Sequence, residues 1–101
     1  SIVAQTPGAL SYLAFAYVDS SVSMVKLNGH EANAKNVATN DWPLWSYEHM
    51  YTKGKADGLT KEFLDYVLSD KVQKGVVKRM GYISINDMKV TKDAQGRVTK
   101  K

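Results

Sequence analysis

The spacing of apolar and polar positions changes several times along this chain, and each change marks a predicted element. Pro7-Gly8 is a helix-stopping pair, so the residues before it predict the last turn of a helix. Residues 8–18, GALSYLAFAYV, are nearly all apolar or aromatic between Gly8 and Asp19. A run without alternation predicts a strand buried on both faces, here with a short helical turn after it. Residues 22–29, VSMVKLNG, set Val22, Met24 and Lys26 against Ser23, Val25 and Leu27 and close on Asn28-Gly29. That pattern predicts a second strand entering a tight turn. Residues 31–41 hold helix formers with several Asn and no clear apolar face, which predicts at most a short surface helix. In residues 42–53, Pro43 suits the first position of a strand. Trp45, Tyr47, His49 and Tyr51 then alternate with Leu44, Ser46, Glu48 and Met50, giving an aromatic stripe along one face.

After the turn-forming loop at 54–58 the period becomes helical. Thr60 is the predicted cap of a helix with Phe63, Leu64, Val67 and Leu68 on one face, and Leu59 is placed to staple onto Leu64. This helix is expected to end near Ser69. Asp70 and Gln73 have capping-box spacing, and Val72, Val76, Val77 and Met80 repeat helically up to Gly81, the expected left-handed C-terminal cap. Lys78 and Arg79 in the last turn complement the helix dipole. Residues 82–85 predict a short extended piece, and 88–101 a polar tail with a hairpin around Asp93 to Gly96.

Composition narrows the class. At 101 residues, 44% hydrophobic and 24% charged, the chain has room for one domain with a modest core. No apolar stretch approaches the roughly 20 residues that span a bilayer. SIVAQ has neither the basic start nor the apolar run of a secretory signal, and Ser1 is not an initiating Met, so the chain reads as a processed protein or a piece of a longer one. The absence of Cys excludes a disulfide scaffold and thiolate chemistry. The net charge of +4 is uneven: residues 1–50 carry two Lys against four acids, and residues 51–101 carry twelve Lys and Arg against six. Scattered Lys with interspersed acids is more often a solvated face than an anion-binding surface.

The candidate chemistry is sparse. His30-Glu31 and Glu48-His49 are the only pairs resembling metal ligands, and neither has zinc-site spacing, so no metal is expected. A metal-dependent hydrolase relying on His49 is disfavoured on the same ground. No Gly-x-Ser-x-Gly elbow fixes a nucleophile, so no catalytic residue is assigned. TKGKADG, residues 52–58, has glycines and lysines without phosphate-loop spacing and reads as a solvated turn. Trp45, Tyr47 and Tyr51 could stack on bases or sugars, although alternating aromatics are more often core. The serious competitor is the helix pair at 60–81, where Lys71, Lys74, Lys78 and Arg79 could follow a phosphate backbone in a small basic nucleic-acid-binding domain. Against it, Asp65 and Asp70 stand near the turn, and beyond Gln73 the second helix offers no polar cluster for reading bases.

TPGALSYLAFAYV, VKLNG, WPLWSYEHMYTKGK, KEFLDYVLSDKVQ and VVKRMGYISI occur in this order. Together they resemble the C-terminal third of the phosphate-binding component of bacterial ABC phosphate importers, particularly the lipid-anchored Gram-positive branch. The resemblance covers essentially the whole chain. Its most specific feature is the conjunction of a Thr-Pro-Gly-Ala turn, a Trp-Pro-Leu strand and a Leu-Ser-Asp helix junction. Leu10-Ser11 departs from the Ile-Gly more usual after Pro-Gly-Ala.

The resemblance implies an α/β chain, the C-terminal portion of a type II periplasmic-binding-protein fold, with strands packed against helices and incomplete by itself. It implies phosphate binding outside the membrane, either lipid-anchored upstream or periplasmic, delivery to an ABC permease, no enzymatic activity, no cofactor and no nucleic acid. Residues 1–27 would come from one lobe, 28–43 would include a hinge crossing, and 44–101 would belong to the other lobe. The family's Thr/Ser-Gly-Ser-Arg anion loop is expected just ahead of Ser1. No position here matches it, so no phosphate ligand is carried over. Incomplete lobes leave faces such as Leu13 to Val18 and the Trp45 stripe uncovered, and the isolated chain is expected to pair with itself or with the missing segment, for example by strand exchange.

Overall fold

The computed structural model describes residues 1–101. Four helices and a hairpin form, and their turns and stops follow the local signals. Helix α1 (Ile2–Gln5) is capped by the Ser1 hydroxyl, which accepts from the Ala4 N–H at 3.2 Å. It stops at Pro7-Gly8, where the Ala9 N–H donates to the Thr6 carbonyl and Gly8 takes φ +79°, as a proline-glycine turn requires. The Asn28-Gly29 turn also forms. Both residues have positive φ, and Leu27 and His30 exchange two backbone hydrogen bonds across it.

Helix α2 (Ala34–Ala38) is capped by Asn33, whose side chain accepts from the Asn36 N–H at 2.8 Å. Helix α3 (Gly58–Leu68) begins at an Asp57 cap, ahead of the expected Thr60, so Leu59 lies inside the helix and is no staple before it. It ends at Ser69 as expected. A second helix, α4, covers 70–79, and its centre, Val72–Val77, is π-helical. Gly75 sits in this widened turn. At its end the Tyr82 N–H reaches the Val77 carbonyl and the Gly81 N–H the Lys78 carbonyl, which is a Schellman cap with Gly81 at φ +83°. A Cβ on Gly81 would lie 3.0 Å from the Ala16 backbone, so glycine is required there for space as well as for conformation. The hairpin pairs β1 (Val90–Lys92) with antiparallel β2 (Val98–Lys100), with Thr91 opposite Thr99.

The longer-range expectations fare differently. Helix and strand are both present, but the only sheet is this two-stranded hairpin. Apart from the Leu27–His30 bridge at the turn, the runs predicted as strands at 8–18, 22–29 and 42–53 form no ladder, and 8–18 is broken by a 3₁₀ turn at Phe15–Tyr17. A strand exists only through its ladder, and these residues supply no neighbour for any of the three. The run predicted as buried on both faces consequently exposes Leu10, Tyr12, Leu13 and Tyr17.

The core is small and lies elsewhere. Val37 and Ala38 of α2 and Met88 and Val90 around β1 form it, with Phe15, Trp42, Trp45 and Ile83 packed against them. The helix expected on the surface and the tail expected to be polar therefore provide its centre. The Lys89 N–H joins them by donating to the Ala38 carbonyl at 2.9 Å. The predicted apolar faces of α3 and α4 are only partly covered: Phe63, Leu68, Val76 and Met80 remain exposed. Accessible surface is 8233 Å², against about 5,700 Å² for a folded monomer of this mass. The radius of gyration is 16.2 Å, against roughly 13 Å for a compact domain.

Candidate functional site

Two polar constellations organise the interior. The first centres on Gln73, which sequence spacing placed in a capping box with Asp70. Its side chain turns inward instead and is 6% exposed. Its Nε2 donates to the Val67 carbonyl at 3.0 Å, while its Oε1 accepts from the Ser84 hydroxyl and the Ile85 N–H, both at 3.1 Å. Ser84 is fully buried and also accepts from the Asn86 N–H. One amide thus ties α3, α4 and the segment after Gly81 together. Asp70, freed from capping, accepts from Lys74 at 2.6 Å and Asn86 at 3.3 Å. A signal for Gln73 exists in the sequence: positions 73, 76, 77 and 80 share one helical stripe in which Gln is the single polar member.

The second constellation is the seam between segment 42–47 and β1. The Lys92 ammonium donates to the Trp45 carbonyl at 2.8 Å and the Pro43 carbonyl at 3.3 Å, and lies 3.9 Å from the centre of the Trp45 ring. The Lys92 N–H donates to the Tyr47 hydroxyl at 3.1 Å, and the Trp45 indole donates to Asn40 at 2.8 Å. Burial lowers the Lys92 pKa from its ordinary value. This ammonium is occupied by carbonyls and a ring face, so it positions the chain and offers no open anion site.

The residues singled out from sequence fall around these centres without assembling a reactive set. His30 and Glu31 stand at the Asn28-Gly29 turn, where Glu31 pairs with Lys26 at 3.6 Å. His49 meets Tyr47 edge-on at 6.1 Å and stacks on Tyr51 at 5.8 Å between ring centres, and no group of three metal-ligating side chains occurs. The aromatic stripe survives because an extended chain keeps alternate residues on one side, and Trp45 meets Tyr47 edge-on at 5.3 Å. Its inner end, Trp45 and Tyr47, is half-buried packing, and Tyr51 is exposed. The 52–58 loop is an open turn in which the Thr52 hydroxyl donates to the Gly54 carbonyl. Of the four basic residues on α4, Lys74 pairs with Asp70 and Lys78 with Asp87 at 2.7 Å, leaving only Lys71 and Arg79 unpaired. That halves the charge available to a nucleic-acid backbone.

The phosphate-binding protein PstS of Bacillus subtilis (strain 168) is 54% identical over 97 residues, 95% of this chain and 32% of that protein. This chain is homologous to the PstS phosphate-binding proteins. The phosphate-binding protein PstS 2 of Streptococcus agalactiae serotype V (strain ATCC BAA-611 / 2603 V/R) is 32% identical over 99 residues, 95% of this chain and 33% of that protein. PstS 2 of serotype III (strain NEM316) matches to the same extent. The chain therefore spans about a third of the length of the curated PstS relatives it matches. No family model matches it.

Proposed function

We propose that this chain is the C-terminal third of the phosphate-binding component of a bacterial ABC phosphate importer. The observation that carries the reading is 54% identity running over 97 residues, nearly the whole chain, to a protein named for phosphate binding. The exposed surface supports it: an accessible area about 2,500 Å² above that of a compact monomer of this mass is what a part of a larger body leaves uncovered.

In this reading the full protein has a two-lobed type II periplasmic-binding-protein fold. Residues 1–27 belong to one lobe, 28–43 include the hinge crossing, and 44–101 belong to the other. The anion is held by residues ahead of this third, while the Gln73 and Lys92 constellations keep its own elements in place. The protein binds and releases phosphate without transforming it. It works outside the cytoplasmic membrane, lipid-anchored or periplasmic, and hands its ion to an ABC permease.

Equilibrium dialysis with labelled phosphate, on the full-length protein containing this sequence and on the 101-residue chain beside it, tests the reading. The full protein is expected to bind phosphate, and the chain alone to bind none. A full protein that ignores phosphate would overturn the assignment. Binding of the 101-residue chain to DNA, falling steeply as salt rises, would favour the nucleic-acid alternative instead.

A further inference from the structure

We propose that Asn28 is a site of spontaneous deamidation, at which the Asn28-Gly29 turn converts to a mixture of aspartate and isoaspartate. The reaction needs a side-chain amide free to be attacked and a following backbone nitrogen free to attack it. Of the five asparagines, four have their side chains engaged. Asn33 caps α2, Asn36 donates to the Glu31 carbonyl, Asn40 accepts from the Trp45 indole and Asn86 donates to Asp70. Asn28 alone has a side chain that makes no hydrogen bond within the chain, and it is exposed. The Gly29 N–H is equally unengaged, because the turn is closed by the two bonds that Leu27 and His30 exchange on either side of it. Glycine brings no side chain over the amide, and a Cβ built on Gly29 would meet nothing within 4 Å, so the turn stands clear of the rest of the chain. A two-bond bridge on an open turn also breathes readily, which lets the amide and the nitrogen meet.

Solvent base takes the Gly29 N–H proton, the nitrogen attacks Asn28 Cγ, and the bond from Cγ to the side-chain nitrogen breaks, releasing ammonia and leaving a cyclic succinimide. Water then opens the ring at either carbonyl. Breaking the bond from Gly29 N to Cγ gives aspartate, and breaking the bond from Gly29 N to the Asn28 backbone carbonyl carbon gives isoaspartate. Both products carry a carboxylate in place of the amide, and isoaspartate also routes the main chain through Cβ. Asn28 at φ 50° and Gly29 at φ 81° form a two-residue turn whose span matches the Leu27–His30 exchange. A main chain longer by one carbon no longer matches it, so isoaspartate opens the bridge while aspartate keeps it. The proposal rests on the turn's own atoms and on no wider surface, and it stands apart from the phosphate reading, which dialysis of the full-length protein decides separately.

Peptide mapping of the 101-residue chain, held at mildly alkaline pH and sampled over days beside an unincubated control, is the test. Tryptic cleavage after Lys26 and Lys35 leaves residues 27–35 as one peptide carrying both Asn28 and Asn33. Fragment-ion masses therefore compare the two asparagines within the same molecule. Asn28 is expected to convert about tenfold or more faster than Asn33, and enzymatic methylation of isoaspartate should label the product. The NMR contact between the Leu27 and His30 amides across the turn should vanish in the isoaspartate form and persist in Asn28→Asp, which adds the charge without lengthening the chain. Equal rates at Asn28 and Asn33, aspartate without isoaspartate, or conversion in urea but not in the folded chain would overturn the proposal. A bridge that survives in the isoaspartate form would overturn its effect on the turn.

Discussion

Gln73 shows how much one side chain's direction decides. In sequence it is a capping residue three positions after Asp70, and in the structure it is the most connected buried polar group of the chain. Desolvation decides between the two roles. At the exposed helix start an amide exchanges water for one N–H, whereas turned inward it satisfies a carbonyl, a hydroxyl and an N–H at once. Gln73→Ala is therefore expected to cost about 1–3 kcal/mol, read as a lower urea midpoint by tryptophan fluorescence. An unchanged midpoint would show that water replaces the amide. Lys92 was equally hidden, because nothing in its local sequence says that its ammonium will cap the carbonyls of a segment more than forty residues away.

Among the elements, those closed by local chemistry were legible and those closed by distant partners were not. Pro7-Gly8, Asn28-Gly29, Ser69 and Gly81 stop or turn the chain where their backbone preferences require. The hairpin is of the same kind, since Asp93 organises its own loop by accepting from the N–H groups of Gln95 and Arg97 and from the Arg97 guanidinium. Hydrogen bonds from Arg97, the backbone one first, hold the Asp93 carboxyl below its usual range. A depressed folded-state value means that this stabilisation is complete above the ordinary aspartate range, roughly pH 4, and is lost as pH falls through the lower folded value. Cross-strand NMR contacts between Thr91 and Thr99 should therefore persist at neutral pH and fade in stronger acid. Asp93→Asn should remove that dependence; contacts that fade identically in the variant would assign it to another group. The three predicted strands lack any such local closure. Their composition and alternation are those of strands, but a ladder needs a second chain segment, and α2 and β1 took the core in their place.

For the whole molecule, the small core and the surplus surface set the expected cooperativity. A denaturant slope scales with the surface that unfolding exposes, and much of this chain's surface is exposed already. Urea melts at low protein concentration should give a slope at or below the lower end of the range for small proteins, about 1 kcal/mol per molar. A steeper slope, typical of a compact domain of this length, would mean that the core is larger than the four residues Val37, Ala38, Met88 and Val90. The sequence by itself determined the turns, the stops of α3 and α4 at Ser69 and Gly81, the uneven charge and the kinship with phosphate-binding proteins, because each is written in residues near one another or in their linear order. Only the tertiary structure decided that α2 and the tail form the core, that Gln73 and Lys92 join distant segments, and that residues 10–14 stand unpaired. Burial and strand pairing depend on which distant residues arrive as neighbours, and no local pattern specifies that.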